Sequence, residues 1–387
     1  MERLLKPWVA LLAATVLLLL AFFGGYVVAE RRSGLGIGGS SAGFDQIRRA
    51  YSEIVSSAAK PPRQVALARG AIKGMIKVLN KEGDKYAFFF GPKSYRSFQE
   101  LTTGKFSGIG VWLKQEQGAL AVVSVLPSSP ALSAGIKPGD VIRRIDGKSV
   151  SRMSTDQAVA TIKGPEGSKI SLAVDRHGSH LSFQLKRQTL NLPSLIARKL
   201  PHHLGYIHLF SFSQGAGDQL RQHVKNLVAH GAKGLILDLR DNGGGLLDEG
   251  VKVASVFINE GKIVTTKSPN GVDQTLTAKG SAFPNLPLVV LVNGGTASAS
   301  EIVSGALQDH NRAILVGTTT YGKGSVQQIF PLSGNSAMKL TTEHYYTPSG
   351  RDINGKGIKP DVVVKTVADQ QPRAVQILKG IIASSQK

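Results

Sequence analysis

The chain has 387 residues, enough for two or three domains, and its 42% hydrophobic and 19% charged content is that of an ordinary globular protein. It contains no cysteine, which excludes disulfides, thiolate metal sites and a cysteine nucleophile. The formal charge of +21 comes from lysines and arginines spread along the whole chain, with no basic block or interleaved aromatic platform, so nucleic acid is a poor partner and an anionic lipid or cell-wall polymer a better one.

From the N-terminus, Pro7 to Ala29 carries no charge, and the stretch from Trp8 is long enough to span a bilayer. Residues 1–32 therefore read as a signal anchor, with a signal peptide cut after Val27-Val28-Ala29 as the rival. Arg3 and Lys6 on one side balance Arg31 and Arg32 on the other, so the charge rule does not orient the span. Residues 33–43 form a Gly/Ser linker. Its Gly34–Gly39 run fits G-x-G-x-x-G outside any βαβ unit, and Gly39–Gly43 fits G-x-S-x-G around Ser41 without a preceding strand, so neither carries chemistry. Across 44–100, apolar residues such as Ile47, Tyr51, Ile54, Ile72, Met75, Ile76 and Leu79 recur at helical spacing and predict helices with core-facing stripes. Ser57-Ala58-Ala59-Lys60 fits S-x-x-K there, but no K-T-G or S-D-N supports it.

Residues 101–188 are β-rich. Gly108-Ile109-Gly110-Val111 precedes short strands, and Gly135-Ile136-Lys137-Pro138-Gly139-Asp140 follows downstream. The combination resembles a PDZ domain. The Gly-φ-Gly-φ turn can offer successive backbone N–H groups to a free carboxylate, and the strand after it can accept a peptide by edge addition. The predicted helix Thr155–Lys163 forms the other wall of such a groove, with Val159 and Ile162 as pocket residues.

Residues 189–365 turn to an α/β pattern. Strands are predicted at Tyr206–Phe212 and Gly234–Leu239, separated by a helix carrying Leu220, Val224, Leu227 and Val228. At the end of the second strand stands Arg240-Asp241-Asn242-Gly243-Gly244-Gly245, followed by an apolar helix through Ile258. Ligands gather at such strand ends. The glycines let a backbone N–H point into a cleft, so Gly244, with Gly245 as second choice, can donate to an oxyanion; a helix-start turn that merely needs glycine is the alternative.

The run Leu288–Val292 predicts a buried parallel strand, and the Gly pair after it leads into a helix whose apolar spacing begins at Ile302. Ser298 therefore sits at a helix entrance beside unpaired N–H groups and the positive end of a dipole, with the Ala299 N–H as the other oxyanion donor. Ser298-Ala299-Ser300-Glu301 also fits a capping box, so a purely structural serine is an equally local explanation. Lys323, between Gly322 and Gly324 and after the predicted strand Ala313–Gly317, tips the balance. It has no adjacent carboxylate, and burial would lower its pKa until it served as a base for a serine. Gln327, four residues on, shares a face with Lys323 on a strand or helix and can orient the amine without adding charge. Gly317–Lys323 nearly matches a P-loop, but Gly324 stands where the magnesium-binding hydroxyl belongs. His310 and His344 are isolated. Strands near Gln327–Leu332 and Ala337–Tyr346 complete the core, and residues 366–387 read as a polar stretch and a short helix.

In motif order, Leu237–Leu247, the Ser298 and Lys323 segments, Tyr345-Tyr346-Thr347-Pro348-Ser349-Gly350-Arg351 and Asn354–Asp361 resemble the carboxyl-terminal processing peptidases, over about Phe44 to Val364. These are serine peptidases with a Ser/Lys dyad that cut proteins near their C-terminal ends. The resemblance implies an α/β crotonase-like peptidase core with an inserted PDZ domain and an N-terminal helical region, Ser298 as nucleophile, Lys323 as general base and Gln327 as its partner. It implies no metal or cofactor. Its expected partners are protein substrates with unstructured C-terminal tails and a membrane; it leaves room for an adaptor protein and a homo-oligomer. With the N-terminal signal it implies the extracytoplasmic, periplasmic face of a bacterial plasma membrane. Two departures stand out: Asn80-Lys81-Glu82-Gly83-Asp84 replaces an Asp-Pro-His-Ser type turn, and Gly243 stands where most members have proline. A catalytically silent PDZ scaffold, or a hydrolase using Ser300 or a histidine, are the rival readings.

Overall fold

Two runs, Gly234–Asp238 and Leu288–Val292, are almost wholly apolar, and a strand of that kind is stable only with both faces covered. In the computed structural model, which describes residues 42–384 apart from 117–118, 152, 270, 272 and 281–282, both runs are buried at every position. The predicted anchor and the start of the linker lie outside the described residues; among those described, no helix is long and apolar enough to cross a membrane.

The N-terminal part gives helices α1 (Ala42–Ser57) and α2 (Gln64–Lys81). Their apolar stripes are not core: Ile47 is 46% exposed, and Ile76 is the buried position of α2. A stripe's period is a property of local sequence, whereas its burial needs a second surface.

After α2 come β1 (Phe88–Phe90), α3 (Pro92–Thr103) and β2 (Lys105–Gly108). The β-rich module follows, with β3 (Val111–Glu116), β4 (Ala119–Val125), α4 (Pro130–Ser133), β5 (Val141–Ile145), β6 (Lys148–Ser149), α5 (Thr155–Ile162), β7 (Lys169–Arg176) and β8 (Ser179–Lys186). Its antiparallel sheet runs β3-β4-β5-β7-β8 around its own apolar core, and β9 (Gln188–Asn191) returns to pair with β2.

The remainder builds two sheets from β10 (Leu195–Leu200), β11 (Leu204–Leu209), α6 (Ala216–Ala229), β12 (Gly234–Asp238), α7 (Leu247–Ala254), β13 (Lys262–Lys267), β14 (Asp273–Thr277), β15 (Leu288–Val292), α8 (Ala299–Asp309), β16 (Ile314–Gly317), β17 (Ser325–Leu332), β18 (Ser336–Tyr346), β19 (Val362–Val363) and α9 (Val367–Ser384). One sheet runs β10-β11-β12-β15-β16-β19, parallel except at β10. Alternation along its strands sends Leu235, Leu237, Val290 and Val292 toward α6, α7 and α8, and Ile236, Val289 and Leu291 toward α9. Each such side chain contributes about 1.5–3 kcal/mol of apolar burial.

Helix α9 corrects the expectation of a polar tail with a short helix. Its 18 residues cover the second face of the sheet through Ala374 and Leu378. The polar start holds because buried Gln370 donates to the Val364 carbonyl at 3.0 Å and accepts from Arg240 at 3.1 Å. The other sheet, β1-β18-β13-β14 with β17 on β18, was only partly visible in sequence: β1 and the β13–β14 hairpin were not expected.

Candidate active site

Parallel strands β12 and β15 end side by side, and the loops leaving them meet. Asn242, fully buried, joins them: its Nδ2 donates to Leu209, its carbonyl accepts the Ala297 N–H at 3.0 Å and the Ser300 hydroxyl at 2.9 Å, and its Oδ1 accepts the Gly244 N–H at 2.9 Å. Thr296, buried, fastens the turn from the other side by donating to Leu239 at 2.8 Å. Ser298 then adopts φ 58° and ψ −119°, a conformation that costs a non-glycine residue about 1–3 kcal/mol and persists only when its surroundings enforce it. Helix α8 starts at the next residue, so the Ala299 N–H has no intrahelical partner.

Glu301 and Tyr345 do the enforcing. The Glu301 carboxylate is fully buried and accepts four hydrogen bonds: from Ser298 N–H at 2.9 Å, Thr320 hydroxyl at 2.6 Å, Gly322 N–H at 2.7 Å and Lys323 N–H at 2.8 Å. Its Oε2 thus holds the main chains of Ser298 and Lys323 together. Tyr345 repeats the clamp with opposite polarity, its hydroxyl donating to the Ser298 carbonyl at 3.1 Å and to the Lys323 carbonyl. Burial, with the Glu301 charge behind it, pushes the Tyr345 phenol well above its ordinary range, so it remains a donor. Sequence reading saw Glu301 as a cap alone and missed Tyr345, because the bridge to the Lys323 loop is a long-range contact.

Lys323 is half-buried, and Ser298 and Lys323 both line one cleft of about 600 Å³. Gly324 is required beside it, since a Cβ there would lie 2.7 Å from the Asn354 backbone nitrogen. Burial pushes the Lys323 amine below its ordinary value of 10.5, the charge of Lys339 adds to this, and Glu301 opposes it. Its Nζ lies 5.1 Å from the centre of the Tyr86 ring, and among the described residues no hydrogen bond joins it to the Ser298 hydroxyl.

Gln327 lines the same cleft but differs from expectation. Its amide nitrogen donates to Ser325 Oγ at 2.8 Å and to Thr341 Oγ1 at 3.4 Å, and no hydrogen bond links it to Lys323. Lys323 precedes β17, and a register shift between Val326 and Gln327 breaks the alternation on which the four-residue spacing relied. Thr341 in turn donates its hydroxyl to Asp84 at 2.7 Å and its N–H at 2.9 Å, so the segment that departs from the expected turn reaches this wall through Asp84 and Tyr86.

Gly244 also differs. Its approach to the nucleophile is close, for a Cβ would lie 2.8 Å from Ser298 Cβ, yet its N–H is already engaged by Asn242. In the parallel bridge with Phe212, Gly244 C=O and Leu246 N–H make the bonds, which turns the Gly245 N–H to the opposite edge. Ser300 is fully buried with its hydroxyl on Asn242, and among the described residues no histidine lines the cleft, so neither rival nucleophile system is assembled by them there.

In the β-rich module, Val111 opens β3, an edge strand that pairs only with β4 among the described strands, and α5 packs beside it. Gly108 ends β2, and Gly110 takes φ 82° with Ser129 against its α-carbon. Val159 is half-buried on α5. Ile109 and Ile162 bury their side chains in the module's core, which leaves the main chain of Ile109 as the part of that residue placed in the turn.

Residues 203–364 match the family model Peptidase family S41, and residues 99–175 match that of the PDZ domain. The chain is 36% identical over 345 residues to a carboxy-terminal-processing protease of Bartonella bacilliformis, covering 87% of this chain and 77% of that one. It is 36% identical over 368 residues to the carboxy-terminal processing protease CtpA of Bacillus subtilis, covering 94% and 78%. Among solved structures, the photosystem II D1 C-terminal processing protease superposes with a TM-score of 0.50 at 31% identity, covering 84% of this chain and 87% of that one.

Proposed function

The chain belongs to peptidase family S41, the carboxy-terminal-processing serine proteases, and on that premise we propose that it cleaves protein tails with Ser298 as nucleophile and Lys323 as general base. The observation that carries this is the clamp: one buried carboxylate and one buried phenol hold the main chains of these two residues together at the cleft. Lys323, its pKa lowered by burial, takes the Ser298 hydroxyl proton when its amine is unprotonated. The alkoxide adds to the scissile carbonyl, the C–N bond breaks as the lysine returns the proton to the leaving amine, and water releases the acyl group. To make the first contact, the amine leaves the face of Tyr86. The Ala299 N–H, at the positive end of α8, stabilises the oxyanion. The second donor comes from the glycine loop, where Gly245 is favoured over Gly244 because the latter serves Asn242.

The same reading gives the PDZ module the capture of a free C-terminal carboxylate at Gly108–Val111, with the tail added to the edge of β3 beside Val159. It takes the core, with its helix-covered parallel sheet, to be crotonase-like, and the protein to work outside the cytoplasm, for which the support is the apolar N-terminal segment of its sequence.

Labelling with a fluorophosphonate and cleavage of an unstructured protein tail test this together. The wild-type chain is expected to be labelled and to cut. Ser298→Ala and Lys323→Ala are each expected to lose activity by about 10³-fold or more, and amidation of the tail to weaken capture. Cleavage surviving Ser298→Ala would exclude the assignment, and a protein that binds tails but resists the probe would be a scaffold.

A further inference from the structure

Among the described residues, the cleft is lined by two charged side chains, Lys323 and Lys339, and by no acid. The chemistry proposed above uses the first for proton transfer and the second only through the charge it sets near the first. Lys339 lies on β18 opposite Ile329 of β17 and Phe88 of β1, and it shares a strand face with Thr341, which stands opposite Gln327. Its Nζ is 5.8 Å from the centre of the Phe90 ring, and Phe90 in turn packs on Phe98, a residue of the cleft wall.

Lys339 shares with Lys323 the lack of a hydrogen-bond or ion-pair partner for its amine among the described residues, and unlike Lys323 it has no part in the proton transfer. Other cations drawn out of solvent here are satisfied: Arg176 by Asp140, Arg240 by Asp238, Lys252 by Glu249, and Arg312 by the carbonyls of Phe257, Phe283 and Leu286. Among the described residues, no hydrogen bond or ion pair engages the half-buried Lys339 amine. Asp84, the acid whose charge reaches it, spends its carboxylate on Thr341, Tyr86 and Ala87. A partly desolvated ammonium without an acceptor destabilises the fold, and an arriving anion relieves that cost. The apolar surroundings strengthen the attraction.

We propose that Lys339 forms an anion subsite of the cleft that takes a carboxylate of the bound polypeptide, either an acidic side chain near the scissile bond or the chain's own α-carboxylate. The inference rests on the peptidase reading of the cleft and assigns it a selectivity that the nucleophile and base do not supply.

The test uses two sets of unstructured peptides. In the first, all termini are amidated and one position at a time is Glu or Gln. In the second, the same neutral peptides carry free or amidated C-termini. The full chain is compared with K339M and K339R by kcat/KM, and each pair is also titrated against S298A by fluorescence anisotropy. A carboxylate in one set is expected to be preferred by about tenfold. K339R should retain that preference, and K339M should reduce it to near unity. The set in which this occurs identifies the carboxylate's source; a preference that survives in K339M belongs elsewhere, including to the PDZ module. Ratios equal in wild type and K339M, for turnover and for binding, would overturn the subsite while leaving the peptidase intact. If no peptide is cut by the wild-type chain, the peptidase reading fails instead, and the subsite stands or falls on the binding ratios.

Discussion

The two walls of the cleft are held in opposite ways. On the nucleophile wall, Ser298 is fixed through its backbone by Glu301 and Tyr345, with Asn242 and Thr296 securing the turn before it. On the other wall the main chain of Lys323 shares that clamp, but its amine lies against the face of Tyr86 with no hydrogen-bond partner among the described residues. Hydrogen bonds fix positions to tenths of an ångström, whereas an aromatic face holds a cation by a shallow, non-directional attraction. The rigid wall sets where a carbonyl must be attacked, and the soft wall lets a base approach and withdraw.

Glu301→Gln attacks the rigid side and is expected to have the largest effect. An amide cannot accept four bonds at two oxygens, so at least one of the four buried donors loses its partner, at about 1–3 kcal/mol each. Because the Ser298 and Lys323 chains share one carboxylate oxygen, kcat should fall by about 10²-fold while KM changes little. Thermal unfolding and steady-state kinetics measure the two consequences; a variant with wild-type kcat would show that the clamp does not position the site.

Much of the rigid wall could be read from sequence, because it is made within one short stretch: strand, glycine turn, serine, helix. Leu288–Val292 and the start of α8 fall where the apolar spacing put them. The soft wall was opaque. Tyr86, Asp84 and Lys339 come from segments whose own patterns say nothing of each other, and the Asp84–Thr341 bond spans 257 residues. The glycines at 243–245 announced a close approach, but not that Asn242, two residues earlier, would claim the Gly244 N–H. The hydrogen bonds of Gln327 to Ser325 and Thr341 are hidden for the same kind of reason, since a bulge leaves no mark in a spacing count.

A smaller effect separates the ring of Tyr86 from its hydroxyl. As a base, Lys323 must be unprotonated, so kcat/KM falls as pH drops through its pKa, and burial has already moved that limb below the ordinary lysine value. The ring stabilises the charged amine. Replacing it with an aliphatic side chain that keeps the site dry should lower the pKa further. Tyr86→Leu is therefore expected to move the acidic limb about half a pH unit lower, and Tyr86→Phe to leave it in place. A limb that moves equally in both would assign the effect to the hydroxyl.

The smallest effect falls on stability and carries the sign that most sharply distinguishes the walls. The Lys323 pKa is lower in the folded chain than in the unfolded one, so the unfolded state binds more protons at pH values between the two. Below the folded pKa both states are protonated and the full penalty of a desolvated cation is present; as pH rises toward the unfolded value that penalty is relieved. Removing the amine with Lys323→Met should then raise the unfolding temperature at neutral or lower pH, by about 2 °C, and the gain should shrink in alkaline solution. Glu301→Gln should lower the unfolding temperature instead, because its carboxylate is satisfied by every group around it. Opposite signs from two residues that share one clamp would mark Lys323 as held against its own stability and Glu301 as the group that holds it; a destabilised Lys323→Met would mean that the amine supports the fold and that the soft wall is structural.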